Sequence, residues 1–292
     1  MSTFLGARTR PADDLDGATD AVIGVPFDIG THPTRVGSRL GPAAIREASS
    51  LVMPNDPATG RGIDLTSLAD TGDAPVAAGN VASLDLAEEM VGSVLDQGAR
   101  PIVLGGDGLT SLPALRAAGR RHAGLAVVHL DAHTDTYPLA GFNTATTFTR
   151  AAEEGVIDPA ASCHVGVRGT TLHAEAWSHP RDLGFTVVPM ADCRARGLDA
   201  LVDEIHQLVA GRPAWLSVDT DVFDPSVAPG VCTPAWEGFN AAEGLGLIDA
   251  LAGIPWVGLD NQTVSPPHDV GGMTALLAAT VVVRYLLGHR RA

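Results

Sequence analysis

The chain has 292 residues, 45% of them hydrophobic and 18% charged, the balance of a soluble protein that buries a large core. Its 19 basic and 34 acidic residues give a formal charge of −15, which disfavours nucleic acid and anionic membrane as partners and suits cationic ligands. Aromatics contribute only 4%, so Ala, Val and Leu must fill the interior.

The N-terminal segment, MSTFLGARTRPADDLDG, lacks the long apolar core of a signal peptide. The longest apolar stretch, Met273–Leu287, is too short for a membrane span and is interrupted by Arg284. Cys163, Cys193 and Cys232 form no CxxC pair and read as buried thiols of a reducing compartment. A cytoplasmic location is therefore expected, with one domain covering residues 1–292.

Strands are expected at Ala21–Val25, Pro101–Leu104, Leu125–Leu130, His164–Val167, Phe185–Val188, Trp215–Val218 and Trp256–Leu259. The Pro-, Gly- and Asp-rich stretch from Asn55 to Gly79 reads as a surface excursion. Leu86, Met90, Val94 and Leu95 recur at helical spacing, with Asp85 and Glu88 placed for a capping box and Gly98 for a stop. A second helix is expected over Leu198–Val209, where six aliphatic residues share one face. Strands separated by helices imply right-handed crossovers and a three-layer α/β/α fold around a mostly parallel sheet.

Ligands of such sheets bind at the carboxyl ends of the strands. Directly after Leu125–Leu130 comes Asp131-Ala132-His133-Thr134-Asp135; directly after Trp215–Val218 comes Asp219-Thr220-Asp221. Acidic and imidazole side chains at alternate positions of extended chain point to one side. Asp131, His133, Asp135, Asp219 and Asp221 are thus candidate ligands of a hard or borderline divalent cation, Mn²⁺ or alternatively Ni²⁺ or Fe²⁺. Without a cation such carboxylates repel one another or take up protons.

The same residues carry a resemblance. Asp131–Asp135 resembles the DAHxD signature of ureohydrolases, the arginase and agmatinase family, and Ser217–Gly230 resembles their SxDxDxxDPxxAPG signature. Gly24–Asp28, Gly37–Arg46, Gly105–Asp107, Val165–Gly169 and Val264–Pro267 extend it over nearly the whole chain. It implies an arginase-like fold and hydrolysis of a small guanidino substrate to urea and an amine by hydroxide bridging two metal ions. It also implies self-association into trimers or hexamers. Asp131 and Asp219 would bridge both metals, His133 and Asp221 would complete one site, and Asp135 would belong to the other.

Three positions depart from the family pattern. Gly108 stands where the resemblance places a metal-binding His, Thr144 where it places a proton-shuttling His, and Thr263 where it places a guanidinium-contacting Glu. The losses imply zero or one metal per chain and a weakly active or inactive site. The chain would then support an intact paralogous subunit acting on guanidine or biguanide compounds, as in hydrolases resembling metformin hydrolase. The alternatives are an autonomous agmatinase-like amidinohydrolase with a repurposed metal site, and a non-enzymatic sensor of guanidino ligands or metal. Restoring His at position 108 alone is expected to improve metal retention more than rate.

Among the remaining groups, His129 reads as core, His164 and His268 as auxiliary to the site, and Asp107 as a loop brace. Arg35 and Arg39 are expected to order the N-terminal loop. His32, His122, His173, His179 and His289 read as ordinary.

Overall fold

The apolar runs are too continuous to face water on either side, and they assemble into a buried parallel sheet. The computed structural model describes residues 2–28 and 34–288; His32 and His289 lie outside them. Its strands are β1 (Arg8–Thr9), β2 (Asp20–Gly24), β3 (Asn55–Asp56), β4 (Arg61–Gly62), β5 (Leu68–Asp73), β6 (Arg100–Leu104), β7 (Ala126–Leu130), β8 (Cys163–Val167), β9 (Thr186–Pro189), β10 (Ala214–Asp219) and β11 (Trp256–Gln262). The helices are α1 (Gly41–Ser49), α2 (Asn80–Asp96), α3 (Ser111–Gly119), α4 (Thr147–Glu153), α5 (Ser178–Asp182), α6 (Met190–Arg196), α7 (Leu198–Val209), α8 (Ala241–Ala250) and α9 (Met273–Gly288).

Nine strands form one sheet in the order β1-β5-β2-β6-β11-β10-β7-β8-β9, and every pairing in it is parallel. Successive strand residues serve opposite faces, as the pleat requires. Val22, Ile102, Val128 and Leu216 pack with α1 and α6 to α9, whereas Ala21, Ile23, Val103 and Trp215 pack with α2, α3 and α4. The outcome is the expected three-layer α/β/α architecture. The apolar stretch at the C-terminus is α9, whose buried side packs on α1 and α8. Among the described residues no helix is long and apolar enough to cross a membrane.

Three local expectations need correction. The Asn55–Gly79 stretch is not only a surface excursion, because it contains β5, a strand of the central sheet. Its sequence, LADTGD, hides this behind two aspartates. Asp70 is nevertheless buried, since Arg46 of α1 reaches both of its oxygens at 2.9 and 3.0 Å. In α2 the helix begins at Asn80, ahead of the supposed capping box, and its buried face carries Leu84, Ala87, Val91 and Val94. The stop is correct: Gly98 takes φ +74° just past the end. Finally, β11 runs on to Gln262, beyond its apolar segment, because Asp260 is buried with partners. It accepts from Ser111 and Ser217 at 2.8 Å each and from the Trp215 indole at 2.6 Å.

Candidate metal centre

Four adjacent strands, β6-β11-β10-β7, deliver the chemically interesting residues from their carboxyl ends. Val218 pairs with Leu130, so Asp219 and Asp131 leave the sheet side by side. After Asp219 the chain turns through a 3-10 turn, Thr220–Val222, that presents Asp221; the Asp219 side chain braces it by accepting from the Asp221 amide at 2.8 Å. After Asp131 the chain folds back so that the His133 amide donates to Asp131 Oδ1 at 2.7 Å. Asp135 follows with φ +45°, a conformation disfavoured for a side-chain-bearing residue and often held at functional sites.

Asp131, His133 and Asp221 each place one ligand-capable atom within 4.8 Å of the others'. His133 Nδ1 lies 3.2 Å from Asp131 Oδ1 and 3.2 Å from Asp221 Oδ2. The two carboxylates are buried and His133 is about one-fifth exposed, its side chain 22% accessible. One imidazole and two carboxylates suit a divalent cation of the Mn²⁺ or Ni²⁺ type.

The electrostatics fit the same reading. Burial would lift the Asp131 carboxyl, but His129 and His133 outweigh it and hold the group well below its ordinary range. Burial opposes charge on His133, yet Asp221 and Asp131 raise it well above an ordinary histidine. Asp221 is pushed up to about 6, first by burial and then by Asp131. Asp219 and Asp135 rise well above the carboxylate range, by burial first and by neighbouring carboxylates next. Such a cluster lacks positive charge, and a cation or extra protons must supply it.

The second half of the site is built differently. Asp135 and Asp219 fall outside the close group. Asp219 Oδ1 accepts from the Thr263 hydroxyl at 2.5 Å as well as from the Asp221 amide. Thr263 itself sits at φ +69°, a strained setting for a β-branched residue. Gly108 offers no donor atom, and the space beside it is already taken. A Cβ there would lie 2.5 Å from Thr144 Cγ2 and 2.8 Å from Asp135 Oδ2. A side chain at 108 would therefore require the Thr144 and Asp135 side chains to shift. Among the described residues Asp135 Oδ2 is buried without a hydrogen-bond partner. Asp131, His133 and Asp221 are the group whose ligand-capable atoms already lie close enough together for one cation.

A cleft of about 230 Å³ opens over these groups, with Asp28, Arg35, Asp107, Tyr137 and Cys232 at its walls. Arg35 donates to the carbonyls of Val231 at 2.9 Å and Pro229 at 2.6 Å, tying the N-terminal loop to the segment after β10 as expected. Asp107 is a loop brace, its carboxylate accepting from the Leu109 amide at 3.1 Å. His268 contacts Ser265 at 2.9 Å and does not line the cleft. Beyond Asp221, Asn240 and Glu243 cap α8 reciprocally at 2.9 Å.

Two buried histidines were undervalued by sequence reasoning. His129 lies two residues before Asp131 on the same side of β7, with Nε2 3.1 Å from Asp131 Oδ2. The contact is at ion-pair distance but is not aligned as a hydrogen bond. Behind it, His129 Nδ1 meets His164 Nδ1 at 2.9 Å, and His164 Nε2 meets the Thr136 hydroxyl at 3.1 Å. The period-two spacing of His129 and Asp131 was the available signal. Ser111 and Asp260, which form a polar plinth under the site, carried none.

The fold and the clustered carboxylates define an α/β/α protein of the arginase type with a candidate divalent-metal site at its strand ends. The chain belongs to the arginase family, whose model matches residues 18–288. It is 36% identical to a guanidinobutyrase of Pseudomonas aeruginosa over 278 residues, covering 94% of this chain and 87% of that protein. The solved structure of proclavaminate amidinohydrolase from Streptomyces clavuligerus superposes with a TM-score of 0.93 at 35% identity, covering 99% of this chain and 96% of that one. A hypothetical agmatinase from Burkholderia thailandensis gives a TM-score of 0.88 at 33% identity, covering 98% and 90%.

Proposed function

We propose that this chain is a ureohydrolase-family subunit that takes guanidine or biguanide compounds, holds at most one Mn²⁺ or Ni²⁺ ion, and turns substrate over weakly or not at all. It would work beside an intact paralogous subunit. The observation that supports this reading is the packing around Gly108: no donor atom stands there, and the Thr144 methyl and the Asp135 carboxylate crowd the place a side chain would take. Asp131, His133 and Asp221 would hold the single ion. When bound, a divalent cation supplies Lewis-acid polarisation and acidifies coordinated water. The chain's own groups contribute less than the full reaction needs. Thr144 cannot shuttle a proton near neutral pH, and Thr263 brings a hydroxyl, already donated to Asp219, where a negative charge would hold the guanidinium. Binding without a fully assembled nucleophile gives occupancy rather than turnover.

The test is metal analysis together with a hydrolysis screen over agmatine, arginine, 4-guanidinobutyrate and biguanides, with the chain alone and with co-expressed paralogues. We expect no more than one equivalent of metal and negligible turnover by the chain alone. Turnover of about 1–1000 s⁻¹ by the isolated chain would overturn the supporting-subunit reading. It would favour an autonomous, single-metal amidinohydrolase, the second reading, which rests on the intact Asp131–His133–Asp221 group and the open cleft.

A further inference from the structure

Arg168 follows β8 directly, is buried, and forms no ion pair among the described residues. Its guanidinium is bonded to backbone carbonyls instead. Nη2 donates to the carbonyls of Asp221 at 2.7 Å, Ala235 at 2.9 Å and Phe223 at 3.3 Å. Nη1 donates to the Gly166 carbonyl at 3.1 Å and Nε to that of Trp236 at 3.0 Å. The amide of Arg168 donates to the Ala132 carbonyl at 2.8 Å, in the turn between Asp131 and His133.

One residue therefore spans both segments of the candidate metal group. Its backbone holds the 131–133 turn that leaves β7, and its side chain holds the turn after β10 that carries Asp221. The two turns meet again where the Ala132 amide donates to Asp221 Oδ1 at 3.2 Å. The end of β8 approaches them so closely that it needs glycine. Gly166 takes φ +99°, and a Cβ there would lie 2.9 Å from Val222 Cγ2 and 3.1 Å from the Asp131 carbonyl oxygen.

A guanidinium suits this place for two reasons. Its five N–H donors lie in one plane and serve carbonyls from three segments, which the compact ammonium of a lysine cannot reach together. Its charge also lies near the carboxylates: burial pulls the group below the ordinary arginine range, while Asp221, Asp131 and Asp224 act the other way. A mere spacer would be apolar, because burying a cation is costly.

We propose that Arg168 is a positioning residue of the metal centre, fixing the gap between the 131–133 turn and the Asp221 turn and so the affinity for a divalent cation. This rests on reading Asp131, His133 and Asp221 as the metal group. The segment 235–236, a few residues beyond Cys232 and Thr233 of the cleft wall, belongs to the same unit.

The experiment is calorimetric titration of Mn²⁺ into the full chain and three variants, beside thermal melts without metal. Arg168→Lys keeps a charge but loses the fork, and its Mn²⁺ affinity should fall by about 10-fold. Arg168→Met loses both and should fall by about 100-fold, the upper end for an outer partner of a metal site. Arg46→Lys is the control, a buried arginine paired with Asp70 and Asp73 of β5 that does not line the cleft. It should lower the melting temperature and leave the Mn²⁺ affinity of the folded chain as in wild type. Wild-type affinity in either Arg168 variant overturns the proposal. An equal loss in Arg46→Lys does so too, since the effect is then one of general stability. A wild-type chain that binds no Mn²⁺ overturns the metal reading, and the proposal with it. Should the Arg168 variants not fold, hydrogen exchange on the wild-type chain decides. Added Mn²⁺ should slow exchange at residues 221–224 and 235–239 together, and slowing confined to the first segment overturns the proposal.

Discussion

The two halves of the cleft share one scaffold and differ in what their side chains are free to do. On one side Asp131, His133 and Asp221 converge, backed by His129 and His164. On the other, Gly108, Thr144, Asp135 and Thr263 stand on equally well-formed turns, yet their polar atoms are satisfied internally, missing, or left waiting. The backbone has not decayed: Thr144 fills what Gly108 vacates, and Thr263 donates to Asp219. The difference teaches that a change in side-chain chemistry need not mean loss of order. A site can be altered by repacking a few side chains while the strand ends that carry them stay in place.

The largest test of that comparison removes the centre of the first half. Asp131→Asn should weaken Mn²⁺ binding by roughly 100-fold or more, beyond the 10- to 100-fold typical of an outer partner, as read by elemental analysis and titration. Unchanged affinity would place the ion elsewhere and erase the contrast between the halves. The second test pushes on the closed half. Gly108→His alone should destabilise the fold by about 1–3 kcal/mol through overpacking and should not add a second metal equivalent. Adding Thr144→Gly should relieve the strain in thermal melts and create room for the imidazole. A single Gly108→His variant that melts like wild type and binds two ions would show the closure to be soft.

The smallest expected effect is a pH dependence. Asp221, raised to about 6, must ionise before it binds a cation. Lowering pH from 7 to 5 should therefore weaken Mn²⁺ binding by about tenfold through this group alone. His133, held high by Asp221 and Asp131, must also lose its proton, so calorimetry in buffers of different ionisation enthalpy should record net proton release. The sign for stability is opposite without metal. The folded chain binds the Asp221 proton more tightly than the unfolded chain does. That contribution is complete below about pH 4 and disappears as pH rises through about 6. Metal-independent melts that improve between those values would contradict it.

Much of this was legible before any coordinates. Long apolar runs marked seven of the nine sheet strands, because strands buried on both faces cannot hide their composition. The missing two, β1 and β5, are edge-side elements; β5 is held partly by the Arg46–Asp70 pair, which no hydrophobic pattern announces. The alternation in Asp131–Asp135 and Asp219–Asp221 put five candidates at two neighbouring strand ends. Spacing could not reveal which of them converge, since Asp135 and Asp219 depend on a positive φ and on the Thr263 hydroxyl just past the end of β11. The Gly108–Thr144 contact joins residues that only the folded chain brings together. It is why no reading of the sequence alone could say what packs beside position 108.

The order of the sheet has a consequence for synthesis. β11, the last strand to be made, lies between β6 and β10. Before it arrives, β1-β5-β2-β6 and β10-β7-β8-β9 are two separate ribbons, each with an open inner edge, and Asp260 has not yet reached Ser111, Trp215 and Ser217. The chain therefore closes like an arch around a late keystone. A nascent polypeptide stalled before Trp256 exposes two unpaired edges, the surfaces on which strands from other molecules add. Assembly of the cleft is thereby coupled to the arrival of β11, and termination between β10 and β11 leaves two open-edged ribbons.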